Sequence, residues 1–178
     1  MNRAFLPFVK SLFVVMLAVS SIAYAVEEKK VAKADAAKGE AIYSNGDSAR
    51  NILACASCHG AAGNSTIVQN PKLGAQHEAY LIKQLSDFKT PQRSNAVMSG
   101  IAKTLNDEDI RNIAAYLDMQ KGTPGAAKNK NTVEFGKKIF RAGIAEKNVP
   151  ACAGCHSANG AGIPGQFPRI SSQHQEYT

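Results

Sequence analysis

Apolar positions recur along this chain at helical intervals, separated by stretches rich in turn residues. Nothing alternates apolar and polar at the two-residue period of a sheet. Over residues 76–89, Leu81, Leu85 and Phe88 mark one stripe of a helix. Over residues 106–120, Ile110, Ile113, Ala114 and Leu117 mark another. Asn106 stands at the N-cap of that helix and Asp109 at the capping-box position, with Asp107 and Glu108 in the favoured first turn. Asp35 can cap a shorter helix over residues 36–43. Gly39 lies inside it and lowers its helix propensity, which points to a packing reason such as the close approach of another helix. Residues 44–50 read as a polar loop, 60–64 and 71–74 as turns, 91–100 as a loop containing Met98, and 122–131 as a linker. The pattern predicts an all-α fold with long loops.

The pattern then repeats. At an offset of 97 positions, Gly39 meets Gly136, Ile42 meets Ile139, Tyr43 meets Phe140, and Gly63 meets Gly160. Further along, Pro71 meets Pro168, Leu73 meets Ile170, Gln76-His77 meets Gln173-His174, and Tyr80 meets Tyr177. A period this long is a duplicated domain rather than a solenoid unit. The second copy reaches the counterpart of Leu81 at Thr178, so the counterparts of Met98 and of the 106–120 helix are expected beyond the 178 residues. The expected organisation is a signal segment over 1–25, a first domain over 26–121, a linker over 122–131, and a second domain over 132–178, incomplete at its C-terminal end.

Both copies carry the same chemistry. Cys55-Ala-Ser-Cys58-His59 and Cys152-Ala-Gly-Cys155-His156 are C-x-x-C-H sites, and together they use all four cysteines of the chain. Two thiols at this spacing can both reach the vinyl groups of one porphyrin and form thioethers. The following His is then held under the ring as an iron ligand. A zinc ribbon would need the two pairs much closer together. A thioredoxin-like pair would need a βαβ context, whereas these flanks read as helices. Two disulfides would leave both histidines unexplained. The pattern therefore predicts two covalently attached haem c groups, at Cys55, Cys58 and His59 and at Cys152, Cys155 and His156. Each copy is small and poor in aromatic residues, and an enclosed haem supplies the apolar bulk that its own core lacks.

Charge and address narrow the function. Arg3 and Lys10 precede an apolar run over residues 11–22 and an Ala23-Tyr24-Ala25 cleavage site, the organisation of a cleavable export signal; an uncleaved anchor is the alternative. Export to a bacterial periplasm fits the haem-attachment cysteines. Without Arg3 and Lys10 the net charge falls from +7 to +5, and the surplus concentrates after residue 125. No basic stripe with interleaved aromatics appears, so nucleic acid is not an expected partner. Most of the lysines read as solvated surface, and some as a docking face for an acidic redox protein.

With these residues in view the chain resembles the dihaem cytochrome c4 family, tandem class I c-type cytochromes. The paired haem sites carry the resemblance, with the Pro71-Lys-Leu73…Gln76-His77…Tyr80 run and its repeat and Met98-Ser-Gly100-Ile-Ala before an acidic helix start. The resemblance implies His59 and Met98 as axial ligands of the first haem and His156 for the second, whose sixth ligand lies outside the 178 residues. It also implies that the Pro71 and Pro168 carbonyls accept hydrogen bonds from the two motif histidines. The family loop commonly reads Asn-Asp-Met-Met; here it is Asn95-Ala-Val-Met98, which leaves Met98 as its sole Met. Met98 as a flexible core filler is the competing assignment. His77 and His174, at a helix start, read as structural or as facing the haem propionates. The implied function is electron carriage, without catalysis, from a quinol-oxidising bc-type complex toward a terminal oxidase. Partners are redox proteins, respiratory complexes among them, with peripheral membrane association through those partners. The alternatives are a dihaem peroxidase-like enzyme with one open-coordinate haem and a cytochrome subunit of a larger dehydrogenase or oxidase.

Overall fold

The computed structural model describes residues 32–178. The expected signal segment lies outside them. Residues Ala34–Thr178 form one compact unit, helical throughout, with isolated bridges but no strand among the described residues. In chain order the helices are α1 (Ala36–Asn45), α2 (Ala56–His59), α3 (Glu78–Phe88), α4 (Met98–Thr104), α5 (Asp107–Asp118), α6 (Val133–Ala142) and α7 (Ala153–His156). Short 3₁₀ turns at Ser48–Arg50, Ala61–Gly63, Lys130–Thr132 and Ala145–Lys147 punctuate the loops.

The helix starts follow the sequence signals. The Asp35 carboxylate accepts from the Ala37 and Lys38 N–H groups at 3.0 and 3.2 Å and caps α1. Asn106 and Asp109 form a full capping box at the head of α5. The Asp109 carboxylate has a second task that the sequence pattern does not reveal. It is buried, and the Arg50 guanidinium grips it with two bonds of 2.8 and 3.1 Å. Arg50 is also paired with Asp47 at 2.7 Å, so the loop after α1 is tied to the start of α5. Charge-assisted bonds to a buried carboxylate are among the stronger polar contacts in a fold.

Helix ends shift slightly from the periodicity reading, as where α1 runs on to Asn45 and α5 stops at Asp118; two differences bear on the candidate site residues. The helix expected over 76–89 begins at Glu78, because His77 has non-helical backbone at its N-cap, φ −57° and ψ 131°; the Gln76 and His77 side chains reach the second copy. The loop expected over 91–100 ends early, because Met98 is the first residue of α4 and Gly100 lies within that helix. Asn95 is the reason: its Oδ1 accepts from the Val97 and Met98 N–H groups at 3.0 and 2.9 Å and satisfies backbone donors at the helix head.

The core belongs to α1, α3 and α5. Tyr43, Leu81, Ile110, Ile113, Ala114, Tyr116 and Leu117 are buried together with Ile52 and Leu105. The α1–α5 crossing is the tightest contact. A Cβ placed on Gly39 would lie 1.9 Å from the Asn112 backbone oxygen, so only glycine permits the approach. The Asn112 side chain accepts from the Asp35 N–H at 2.8 Å and locks the crossing. The glycine inside α1 thus has the packing reason that its position implied.

The second copy repeats the path of the first. Gly46 and Gly143 end α1 and α6 with φ of 68° and 69°. Asn51 and Asn148 take φ of 56° and 54°, and Asp47–Ile52 and Ile144–Val149 form matching bridges. Matching backbone angles at matching offsets make this a tandem all-α arrangement. The second copy differs in its core, where no large apolar side chain after Leu117 is buried. Positions matching α4 and α5 would be numbered beyond 178, and a Cβ on Gly136 meets no atom within 4 Å.

Gly39→Ala should destabilise the chain by about 1–3 kcal/mol, the usual cost of overpacking. Urea denaturation of the variant against the parent chain, followed by helical circular dichroism, measures the loss.

Candidate haem sites

The cysteine turn of the first copy is held from several sides. Asp47 and Ile52 exchange backbone bonds of 2.8 Å and close the loop after α1. The chain then makes the single turn of α2, with Cys55 at its head and His59 as its last residue. Three positions are close to one helical turn, so the two thiols stand on the same side. Both cysteines are free, Cys55 half-buried and Cys58 exposed. Burial pushes the Cys55 thiol up to about 11, so the unattached side chain stays a neutral thiol at physiological pH.

His59 is 7% exposed, and its Nδ1–H donates to the Pro71 carbonyl at 2.9 Å. That bond fixes the tautomer and leaves the Nε2 lone pair available for a metal. Burial holds the imidazole below its ordinary pKa against the opposing effect of the Pro71 acceptor, and so favours the neutral ring that a metal needs. Pro71 is placed by the turn before it. The Gly63 carbonyl accepts from the Leu73 and Gly74 N–H groups at 2.8 and 3.1 Å. Gly63 has φ of 74°, and a Cβ there would lie 2.4 Å from the Gly74 nitrogen. From α1, the buried Tyr43 hydroxyl donates to the Gly60 carbonyl at 2.7 Å and braces the end of the cysteine turn.

The second copy reproduces the essential bond. His156 Nδ1–H donates to the Pro168 carbonyl at 2.9 Å, and the Gly160 carbonyl accepts from Ile170 and Ser171 at 2.9 and 3.0 Å. The bracing differs. Phe140 and Ser157 occupy the places of Tyr43 and Gly60, so the hydroxyl strut has no counterpart, and Ser157 Oγ donates to the Gly162 carbonyl at 2.8 Å. The Phe167 ring meets the His156 ring edge-on at 5.8 Å. Met98 is half-buried at the head of α4.

The two copies also grip each other, through residues whose role the sequence did not disclose. Gln76 Nε2 donates to the Arg169 carbonyl at 3.0 Å, and its Oε1 accepts from the Arg169 N–H at 2.9 Å. Gln173 does the same to Lys72, with both bonds at 2.9 Å. Lys72 and Arg169 are themselves 97 positions apart, so the exchange is reciprocal, as in an isologous dimer interface. His77 Nε2 donates to the Ala161 carbonyl at 2.7 Å across the same interface, which makes His77 structural. The Gln-His repeat in the sequence was the available signal for this contact, but nothing in it named the partner.

The cytochrome c family profile matches residues 36–121. Cytochrome c4 of Thiocapsa roseopersicina is 45% identical over 70% of this chain, which spans 65% of that relative's length. The crystal structure of reduced recombinant cytochrome c4 from Pseudomonas stutzeri superposes with a TM-score of 0.72 at 37% identity, covering 82% of this chain and 76% of that one. The chain belongs to the cytochrome c4 family. A thiosulfate dehydrogenase electron acceptor of Stutzerimonas stutzeri is also similar, 34% identical over 82% of this chain and 68% of its own length.

Covalently bound haem c is the cofactor of a cytochrome c4, and the residues here fit it. Each site offers a free cysteine pair on one turn beside a histidine whose Nδ1 is already engaged. Arg169 Nε and His174 Nε2 are buried without a hydrogen-bond partner; a haem carboxylate would satisfy such atoms. Leu53 and Val97, adjacent in sequence to the cysteine turn and to Met98, are large apolar side chains left 65% and 62% exposed, suited to a porphyrin edge.

The bracing of the first site is testable. Tyr43→Phe removes one buried hydrogen bond, leaves the Gly60 carbonyl without its donor, and should cost about 1–2 kcal/mol. Thermal denaturation of the variant against the parent chain measures the loss.

Proposed function

We propose that this cytochrome c4 relative is a periplasmic dihaem electron carrier that alters no substrate. One observation carries the reading: both motif histidines hold the same 2.9 Å bond to a proline carbonyl, each beside a free cysteine pair. Haem, when bound, supplies one-electron chemistry at its iron. In this reading Cys55 and Cys58, and Cys152 and Cys155, form the thioethers. His59 and His156 would each hold a haem iron through Nε2, and Met98 would offer its thioether sulfur to the iron of the first haem. A neutral thioether ligand beside the imidazole would favour the ferrous state and leave no place for small ligands. The Nδ1–H bonds prevent ring rotation and would make each imidazole a better donor to iron through Nε2.

The domain organisation in this reading is a signal over residues 1–25, a first cytochrome domain over 26–121, a linker over 122–131 and a second domain over 132–178. No helix among the described residues is long and apolar enough to cross a membrane. The partners are respiratory redox proteins: a quinol-oxidising bc-type complex as donor and a terminal oxidase as acceptor. A second reading, acceptance of electrons from a thiosulfate-oxidising dehydrogenase, is favoured by the similarity to the Stutzerimonas acceptor. Stopped-flow reduction of the ferric protein by each purified donor separates the two, since the physiological donor reduces it at the higher rate.

The ligand assignment has its own test. Met98→Ala should abolish the sulfur-to-iron absorption band of the ferric first haem, lower its midpoint potential, and admit carbon monoxide to the ferrous form. Optical spectra of the full chain before and after the substitution measure all three. An unchanged spectrum would assign the sixth position to another residue.

A further inference from the structure

The reciprocal glutamines and the proline carbonyls meet on the same two peptide groups. The Pro71–Lys72 peptide accepts from His59 Nδ1–H at its carbonyl, 2.9 Å, and donates from its N–H to Gln173 Oε1, 2.9 Å. The Pro168–Arg169 peptide accepts from His156 Nδ1–H at 2.9 Å and donates to Gln76 Oε1 at 2.9 Å. Each motif histidine is therefore one amide away from a glutamine of the opposite copy. Hydrogen bonds at the two ends of an amide reinforce each other, because an acceptor at the N–H polarises the carbonyl and makes it a better acceptor. Both glutamine oxygens are held in place by a second bond, from the His77 and His174 N–H groups, each at 3.0 Å. The Gln76 residue is also buried, where low dielectric strengthens such a chain.

We infer that Gln173 and Gln76 are crossed positioning residues: Gln173, in the second copy, tunes the histidine of the first haem, and Gln76, in the first copy, tunes the histidine of the second. The inference rests on the reading of His59 and His156 as iron ligands. A histidine that donates a stronger Nδ1–H bond is a stronger donor to iron and stabilises the ferric state. Loss of the glutamine acceptor weakens that bond, so the midpoint potential of the opposite haem rises. The contact between the copies thus sets the potentials as well as the spacing of the two sites.

The test uses the full chain with haem attached. Gln173→Leu should raise the midpoint potential of the first haem by an about two- to threefold change in its oxidation equilibrium, about 20–30 mV for one electron. Gln76→Leu should leave the first haem where it is. Gln173→Glu keeps an acceptor opposite the Lys72 N–H and should not show the rise. In the ferrous protein, proton NMR should show the His59 Nδ1–H resonance moving upfield in Gln173→Leu only, and the Lys72 amide should exchange faster with solvent. A rise produced equally by Gln76→Leu, or by Gln173→Glu, would indicate a general opening of the interface and overturn the crossed relay. A midpoint shift without movement of the His59 Nδ1–H resonance would also overturn it. Movement of that resonance with a fixed midpoint would leave the hydrogen-bond chain intact and overturn His59 as an iron ligand instead, so the two failures are distinguishable.

Discussion

The close crossing of α1 and α5 at Gly39 is the constraint on which the first copy depends. It brings the Asn112 backbone to a distance that no side chain at position 39 would permit. It seats Tyr43 where its hydroxyl can brace the cysteine turn, and it aligns the head of α5 so that Asp109 receives Arg50. Core packing, loop anchoring and the posture of α2 all follow from one glycine-mediated contact. The second copy has the same glycine in the same helix. Hydrogen bonds join it to the first copy.

Those hydrogen bonds fall on the backbone segments that orient the motif histidines. The glutamine of each copy clamps the residue just after the other copy's proline, so placing the two copies and placing the two imidazoles become a single structural problem. The reciprocity is incomplete. His77 finds the Ala161 carbonyl, whereas His174 Nε2 is buried without a partner. On the first copy the Asn64 side chain holds the chain that leads to the second, accepting from the Thr123 N–H at 2.7 Å and donating to the Lys121 carbonyl at 2.9 Å. The connecting segment is thus anchored by the first copy, which breaks the two-fold symmetry of the pair.

The sequence by itself determined the helical class, the duplication and its offset, the two attachment motifs and the cap of α5. Each of these is written in local spacing: a 3.6-residue stripe, a 97-residue period, a five-residue motif, a capping box. It also located Gly39 as a close approach and, through family resemblance, the proline carbonyls as histidine acceptors. Only the tertiary structure decided which helix Gly39 meets, that Arg50 reaches Asp109, that Met98 opens a helix, and that Gln76 and Gln173 reach across to Arg169 and Lys72. These are contacts between segments far apart in the chain, or choices by side chains with several possible hydrogen-bond partners. Periodicity records which face of a segment is apolar, but a polar side chain's partner is fixed only when the packed core brings one donor and one acceptor within reach and excludes water from the rest.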